Sequence, residues 1–238
     1  MIPPGFFDGV RCAVFDLDDT LYAFDGPGGA NAPAMRALAA HAAPRLGISE
    51  DAFLGEVRAS LDAQLARVGR DSPCYHSRAA RFGRMLEARG LPLGLALEWT
   101  EFYWRELFAR VAPAPGAAAL LRALRGRGVR VGVGTDMTAL EQFRKLDALG
   151  LLDLVDFVAT SEEAGVEKPE PGFFALVADK AGCAPADVFF AGDNLRKDAL
   201  GAAAAGMRGL WLQPDAGKRA ERPDVPAAAS LEEIRAAL

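Results

Sequence analysis

The sequence predicts an α/β protein in which a doubly wound parallel sheet, Rossmann-like in its core, carries an inserted all-helical cap domain. Short apolar runs, each followed by polar or glycine residues, are typical of strands that are buried on both faces. Segments with helical spacing alternate with these runs, which indicates a parallel sheet with helices on both sides. The predicted strands are residues 10–15, 129–133, 157–159, 188–191 and 209–212, and the predicted helices between them are 117–125, 139–149, 171–181 and 198–205.

A long helical insertion separates the first two predicted strands. Residues 16–128 are far more than a connection in such a sheet requires, and most of this stretch has helical spacing. We therefore predict a Rossmann-like core of residues 1–20 and 113–238 and a helical cap of residues 21–112. A cap in this place would lie over the carboxyl ends of the strands, where such sheets bind ligands. The predicted cap helices are residues 34–46, 50–67, 77–89 and 95–108.

Composition narrows the classes of function. The chain has 238 residues and a formal net charge of −5 without a basic run, so we expect no nucleic-acid partner. Its 3 cysteines lie far apart, which fits neither a disulfide framework nor a zinc site and suits a reducing compartment. The pattern of a signal peptide is missing, and no segment has the ~20 apolar residues of a membrane span. We predict a cytoplasmic monomer or homodimer without a membrane partner.

The strongest candidate for chemistry follows the first predicted strand. Asp16, Asp18, Asp19 and Thr20 come directly after the apolar run 10–15. Clustered carboxylates repel one another unless a cation or hydrogen-bond donors compensate them, and their hard oxygens suit Mg²⁺. In an extended segment Asp16 and Asp18 point to the same side, so both can address one reacting group. An acidic turn that caps the next helix is the simpler alternative, and Asp19 or Thr20 could serve only in that way.

Other strand ends carry weaker candidates. Asp193, in a Gly-Asp-Asn turn after the fourth strand, could add a carboxylate to the same cation, and Asp198 follows in the next helical turn. Lys168, in a Lys-Pro-Glu-Pro turn, could place a positive charge on a phosphate or on Asp16. Thr135 follows the second strand, where a hydroxyl and backbone N–H groups can bind phosphate oxygens. Taken alone, each of these residues could belong to a common turn or, for Lys168, be a solvated surface lysine. Their expected position beside the first cluster favours a functional role.

Taken in order, these motifs resemble those of the haloacid dehalogenase-like hydrolase superfamily. Any single motif is common, whereas the full set at successive strand ends is highly specific, and the likeness covers most of residues 10–213. The insertion after the first motif resembles the subgroup with a helical cap. Residues 139–182 are similar to the branch of pyrimidine 5'-nucleotidases, acylneuraminate-9-phosphatases and phosphoglycolate phosphatases. The motifs are Asp16-Leu17-Asp18-Asp19-Thr20, Thr135, Lys168-Pro169, and Gly192-Asp193 with Asp198.

The resemblance implies a phosphatase that uses Mg²⁺ and a covalent aspartyl-phosphate. Asp16 would be the nucleophile, and Asp18 would protonate the leaving oxygen and then activate water. Lys168 would complete the catalytic set and, with Thr135, hold the phosphoryl oxygens. The implied substrate is a small phosphorylated metabolite, either a nucleoside monophosphate or a sugar phosphate. The implied metal ligands are Asp16, Asp18 through its backbone carbonyl, Asp193, and Asp198 as a ligand or as outer support.

Asp136 departs from the family pattern, in which asparagine usually follows the threonine or serine of the second motif. An extra carboxylate facing phosphate is unfavourable unless it turns away to bond backbone amides, so Asp136 is left out of the catalytic set. Asp18 argues against a dehalogenase, because that group lacks an acid two residues after the nucleophile. A phosphosugar mutase with the same aspartates and a catalytically silent binding module of this fold stay open as alternatives.

Specificity in such a fold resides in the cap, where the sequence offers several candidates. His41 and His76 have no partner at metal-ligand spacing, so packing or surface roles are expected, although His76 could face the site. Arg78, Arg81 and Arg84 lie three apart on one helix face; a solvated basic face is the commoner explanation, and contact with an anionic substrate is the other. An aromatic stripe is expected in the core of the cap: Trp99, Phe102, Tyr103 and Trp104.

Overall fold

The fold is built around a six-stranded sheet, in a computed structural model that describes residues 1–70, 72–212 and 216–238. Neighbouring strands are parallel throughout and follow the order β3-β2-β1-β4-β5-β6. The predicted doubly wound α/β core is therefore confirmed. The strands are β1 (Cys12–Phe15), β2 (Arg130–Thr135), β3 (Phe157–Thr160), β4 (Val188–Gly192), β5 (Arg208–Leu212) and β6 (Ala227–Ala228).

Helices occupy both faces of this sheet, and the longest of them come before β2. The predicted cap helices are confirmed with their ends shifted by up to three residues: α1 (Asn31–Leu46), α2 (Glu50–Val68), α3 (Arg78–Glu87) and α4 (Gly94–Phe108). A short 3₁₀ turn, Pro73–His76, precedes α3. The remaining helices are α5 (Ala117–Gly126), α6 (Ala139–Ala148), α7 (Ser161–Ala164), α8 (Pro171–Ala181), α9 (Gly201–Ala204), α10 (Ala216–Glu221) and α11 (Leu231–Ala237).

The central strand β1 shows why these residues form a doubly covered sheet. Successive side chains of a strand point to opposite faces. Ala13 and Phe15 belong to the apolar cluster on one face, whereas Cys12 and Val14 belong to the cluster on the other, and each of these side chains is fully buried. An uninterrupted apolar run is thus what a strand with helices on both sides requires.

The helices α1 to α4 have an apolar core of their own. It is formed by side chains such as Leu38, Phe53, Phe82 and Trp99, which pack together apart from the clusters on the two faces of the sheet. The inserted all-helical cap is therefore present, while the division of the chain at residues 20 and 113 stays a prediction. Within the described residues, every helix is too short or too polar to cross a membrane.

Several local features differ from the sequence prediction, which also did not include the short helices α7, α10 and α11. The segment predicted as one helix, 198–205, is instead the end of a wide π-helical turn, Leu195–Leu200, followed by α9. The edge strand β6 was not predicted, because two residues carry no periodicity; it forms by pairing with Trp211 and Leu212 of β5.

Close approach between β5 and the π-helical turn requires a glycine at position 209. A Cβ atom added there would lie 1.9 Å from the backbone oxygen of Ala199. We expect Gly209→Ala to lower the free energy of unfolding by about 1–3 kcal/mol, because the backbone must move to admit the methyl group. Urea unfolding measures this change. Gly55→Ala in α2 is the matched control, because a Cβ atom there would meet nothing within 4 Å. This substitution should raise the free energy of unfolding by about 0.5–1 kcal/mol. Equal effects of the two substitutions would contradict the close packing at Gly209.

Candidate active site

A cavity of about 360 Å³ lies at the carboxyl ends of the central strands, between the sheet and the cap. Polar side chains dominate the part of its wall that the core supplies, and aromatic and basic side chains come from the cap. The core residues include Asp16, Asp18, Thr135, Lys168, Asp193 and Asp198. The cap residues include Asn31, Leu61, Tyr75, His76, Arg78 and Arg81. The structure therefore brings every predicted site residue to one place.

Lys168 lies at the centre of the site. Its ammonium group, 3% exposed, donates hydrogen bonds to Asp16 at 2.7 Å, to Asp198 at 2.8 Å and to the backbone oxygen of Gly134 at 3.2 Å. Burial works against its charge, but the carboxylates of Asp16, Asp198 and Asp136 outweigh it and hold the pKa of Lys168 well above its usual value. Lys168 is therefore a permanent cation that joins the end of β1 to the segment after β4.

Asp16, Asp193 and Asp198 form a group of acids that could hold a cation. One carboxylate oxygen from each lies within 4.8 Å of the others. Burial and the charge of Asp198 raise the pKa of Asp193 to about 6. Burial also raises the pKa of Asp16, and Asp198 and Asp193 add to that shift while Lys168 opposes it. One lysine thus leaves this group short of positive charge, and its hard oxygen donors fit Mg²⁺.

Local contacts hold Asp193 and Asp198, the two acids that follow β4, in place. Gly192 lets Asp198 approach, since a Cβ atom at Gly192 would lie 2.2 Å from a carboxylate oxygen of Asp198. The backbone N–H of Asn194 donates to that carboxylate at 2.9 Å. The backbone N–H of Asp193 donates to the Thr20 hydroxyl at 3.1 Å, which ties the loops after β1 and β4 together. Thr20 therefore joins the two acidic motifs and does not cap a helix.

Asp18 has a cationic partner that the sequence did not indicate. The ammonium of Lys145 in α6, fully buried, donates to both carboxylate oxygens of Asp18 at 2.7 and 2.8 Å, and the Tyr22 hydroxyl donates to one of them. Burial favours the protonated acid, but the charge and hydrogen bonds of Lys145 and Tyr22 prevail and lower the pKa of Asp18. Its carboxylate lies outside the acid group around Lys168, so a metal contact through its backbone carbonyl remains a prediction.

Asp136 turns away from the acid group. One carboxylate oxygen accepts the backbone N–H of Lys168 at 2.9 Å, as the sequence suggested, and the other pairs with the ammonium of Lys197 at 2.7 Å. Despite burial, Lys168 and Lys197 lower the pKa of Asp136. The Thr135 hydroxyl, also at this corner, accepts a hydrogen bond from Gln142 at 2.6 Å. The unusual carboxylate is therefore neutralised and supports the turn that carries Lys168.

Asp19 shapes the loop that leads into the cap. Its backbone is in the left-handed region, with φ of 59°, and its carboxylate accepts the backbone N–H groups of Phe24, Asp25 and Gly26 at 2.8–3.0 Å. Aspartate tolerates this conformation better than most residues. Asp19 thus organises a loop instead of capping a helix.

The cap contributes side chains with distinct roles. His41 stacks on Phe102 at the outer surface, as expected, whereas His76 faces the cavity and lies 3.1 Å from the buried carboxylate of Glu167. Arg78 and Arg81 are 8% exposed each, so a solvated basic face is the wrong explanation for them. The predicted aromatic core is confirmed for Trp99, Tyr103 and Trp104, which are buried.

Comparison with known proteins identifies the family. A family model described as haloacid dehalogenase-like hydrolase matches residues 10–206. The chain belongs to the haloacid dehalogenase-like hydrolase family. The motif resemblance found in the sequence is thereby confirmed.

Several relatives of this haloacid dehalogenase-like protein are phosphatases. A ribulose-1,5-bisphosphate 5-phosphatase from Halopiger xanaduensis is 32% identical over 88% of this chain and 89% of its own length. A glyceraldehyde 3-phosphate phosphatase from Methanopyrus kandleri is 31% identical over 83% and 82%. The pyrimidine 5'-nucleotidase YjjG from Escherichia coli is 39% identical over 42% and 44%.

A solved structure supports the same placement. The crystal structure of a phosphatase of this family from Thermococcus onnurineus superposes with a TM-score of 0.71 at 25% identity, over 95% of this chain and 97% of the other. With the family match, these likenesses confirm the predicted enzyme class, a haloacid dehalogenase-like phosphatase with a Rossmann-like core and a helical cap.

The Asp18–Lys145 pair makes a prediction about stability. Removing one member of a buried ion pair leaves the other charge uncompensated at a cost of about 3–5 kcal/mol, whereas removing both costs much less. We expect the stability lost in Lys145→Met to lie at the lower end of that range, because the Asp18 side chain is 26% exposed. Adding Asp18→Asn to Lys145→Met should restore part of the loss, as measured by urea unfolding of both single variants and the double variant. Strictly additive changes would show that the pair is not coupled.

Proposed function

We propose that this protein is a magnesium-dependent phosphomonoesterase that acts on a small phosphorylated metabolite through an aspartyl-phosphate on Asp16. The observation that carries the proposal is the position of Lys168, whose ammonium lies 2.7 Å from Asp16 and 2.8 Å from Asp198 at the base of the cavity. A fixed cation beside a carboxylate suits in-line attack on phosphorus, because phosphoryl transfer depends mainly on positioning and charge stabilisation.

In the first step, a carboxylate oxygen of Asp16 attacks phosphorus. A bond forms between that oxygen and phosphorus, the bond from phosphorus to the substrate oxygen breaks, and Asp18 donates a proton to the departing alkoxide. Lys168 and the hydroxyl of Thr135 bind the phosphoryl oxygens, so that negative charge is stabilised where it develops. Asp136 stays outside this set, since Lys197 already pairs with it.

In the second step, water hydrolyses the aspartyl-phosphate. Asp18 takes a proton from the water as its oxygen attacks phosphorus, the bond to Asp16 breaks, and inorganic phosphate leaves. Lys145 and Tyr22 favour the ionised Asp18 that this step needs. For the first step Asp18 must bind a proton, which the arriving charge of the phosphoryl group favours.

Asp16, Asp193 and the backbone carbonyl of Asp18 would hold Mg²⁺, with Asp198 as ligand or support. Bound there, Mg²⁺ would neutralise phosphoryl oxygens and orient the group for attack. The close approach of Asp16, Asp193 and Asp198 and their shortage of positive partners support this assignment. Asp198 also accepts from Lys168 and from the backbone of Asn194, which favours a supporting role.

The substrate class follows from the relatives and the cavity. The relatives are named for a sugar bisphosphate, a triose phosphate and a pyrimidine nucleotide. A cavity of about 360 Å³ suits molecules of that size. We propose nucleoside monophosphates and sugar phosphates as the substrates. We also propose that the protein acts in the cytoplasm as a monomer or homodimer.

Replacing the nucleophile tests the reaction. Asp16→Asn should reduce phosphate release at least ~10³-fold, because the amide cannot form the covalent intermediate. Release is measured with nucleoside monophosphates, sugar phosphates, phosphoglycolate and an aryl phosphate, with Mg²⁺ or with chelator. Asp153→Asn, an exposed change outside the cavity, is the control. Retained activity in pure Asp16→Asn protein would reject Asp16 as the nucleophile. If the wild type returned the phosphoryl group to the substrate instead of to water, that result would indicate a mutase.

Magnesium binding has a readout that needs no turnover. A cation that binds only the folded chain, and whose free concentration is 100 times its dissociation constant, stabilises the fold by about 2.7 kcal/mol. We expect Mg²⁺ to raise the melting temperature of the wild type and to do so much less for Asp193→Asn. Without Mg²⁺, Asp193→Asn should be neutral or stabilising at pH 7, because it removes repulsion from Asp198. An equal response of both proteins to Mg²⁺ would remove Asp193 from the metal site.

A further inference from the structure

Two buried arginines of the cap line the same cavity as Asp16. Arg78 and Arg81 both lie in α3, one helical turn apart, and both side chains are more than nine-tenths buried, at 8% exposure. None of the acids in the described ranges forms an ion pair with either arginine. The cap thus brings two positive charges to the cavity wall without counter-charges.

Their hydrogen bonds are incomplete as well. Arg78 donates one bond, to the Tyr103 hydroxyl at 2.8 Å, and its Nε and Nη1 atoms have no partner. Arg81 donates one bond, to the backbone oxygen of His76 at 3.2 Å, and its Nε atom has no partner. Burial and the charge of Arg78 lower the pKa of Arg81 to about 10, so Arg81 stays charged at neutral pH. A buried guanidinium without a counter-ion is costly, and an anionic ligand would remove that cost.

Other arginines of the cap show that burial without an acidic partner is a local feature of Arg78 and Arg81. Arg45 pairs with Glu98, and Arg89 pairs with Glu56, both nearer the surface. Arg84, the next arginine along α3, is exposed. Among the arginines of α3, the two that are buried without an acidic partner in the described residues are therefore the two that line the cavity.

We propose that Arg78 and Arg81 form a second anion subsite, so that the preferred substrate carries a carboxylate or a second phosphoryl group besides the phosphoryl group transferred to Asp16. The proposal rests on the proposed phosphatase function. Guanidinium groups match the oxygens of either anion, commonly with paired hydrogen bonds. A substrate with a single phosphoryl group would leave these charges uncompensated. The substrates named for the relatives include one with two phosphoryl groups and one with a single phosphoryl group. Residues of this chain's own cap must therefore determine which substrate it prefers.

A purely structural role for Arg78 is the competing explanation. Its guanidinium lies 4.1 Å from the ring centre of Tyr103 and 4.4 Å from that of Trp104, contacts that stabilise the cap. Arg81 has no aromatic contact of this kind among the described residues. Arg81→Gln is therefore the primary variant, and Arg78→Gln the second. A structural role would change stability but would leave the ranking of substrates unaltered.

The test compares pairs of substrates that differ in one anionic group. The pairs are ribulose 1,5-bisphosphate with ribulose 5-phosphate, and phosphoserine with phosphoethanolamine. In at least one pair, we expect the wild type to have a kcat/KM at least ~10-fold higher for the member that carries two anionic groups. Arg81→Gln and Arg78→Gln should each lower kcat/KM for that member by about 10- to 100-fold, the range expected for a charged hydrogen bond, and so remove most of the preference. Arg81→Lys should retain part of it, and the exposed control Arg84→Gln should retain all of it.

The outcomes separate the subsite from the phosphatase itself. An aryl phosphate, which has one anionic group, reports turnover alone. If it is hydrolysed but neither pair shows a preference, or if the arginine variants retain the preference, the subsite is rejected and the phosphatase stands. If nothing is hydrolysed, calorimetric binding of ribulose 1,5-bisphosphate and ribulose 5-phosphate to the wild type and to Arg81→Gln decides the subsite independently. A preference for the bisphosphate that Arg81→Gln abolishes supports it, and equal binding of both ligands rejects it. The pair that responds also shows whether the second anion is a phosphoryl group or a carboxylate.

Discussion

The buried ammonium of Lys168 is the interaction on which the site depends. It lies between Asp16, which follows β1, and Asp198, in the π-helical turn after β4, and it also binds the backbone of Gly134 near the end of β2. Acids gathered at neighbouring strand ends repel one another, and a central cation offsets that repulsion. Because β1 pairs with both β2 and β4, the sheet itself brings these groups within reach of one lysine.

A second buried lysine gives the adjacent acid a different environment. Asp16 and Asp18 are two residues apart, yet Asp16 shares Lys168 with Asp198, whereas Asp18 binds Lys145 and Tyr22. Separate partners let similar side chains differ in proton affinity, as paired acids in active sites require. The roles proposed for the two aspartates thus have a physical basis in the cations that surround them.

The core and the cap contribute different kinds of charge to the cavity. The core supplies carboxylates around Lys168, a composition suited to a metal ion and a phosphoryl group. The cap supplies Arg78 and Arg81, whose charges have no acidic partner in the part of the chain that the structure describes. The two proposals thus place chemistry and selection of substrate in separate parts of the chain, consistent with a shared core that serves different substrates among relatives.

The sequence by itself determined the order of strands β1 to β5 and of the longer helices, the place of the insertion and the acidic motifs, because these depend on periodicity and on residues close together in the chain. It also indicated how Asp136 is accommodated, but its partner Lys197 lies 61 positions away. The partner of Asp18 lies 127 positions away, and no spacing rule relates such residues. Burial of Arg78 likewise depends on how the cap helices pack, because its guanidinium contacts Tyr103 and Trp104 of α4. Only the tertiary structure decided these contacts, because they form when distant segments meet, and they determine which charges have a partner within the described chain and which do not.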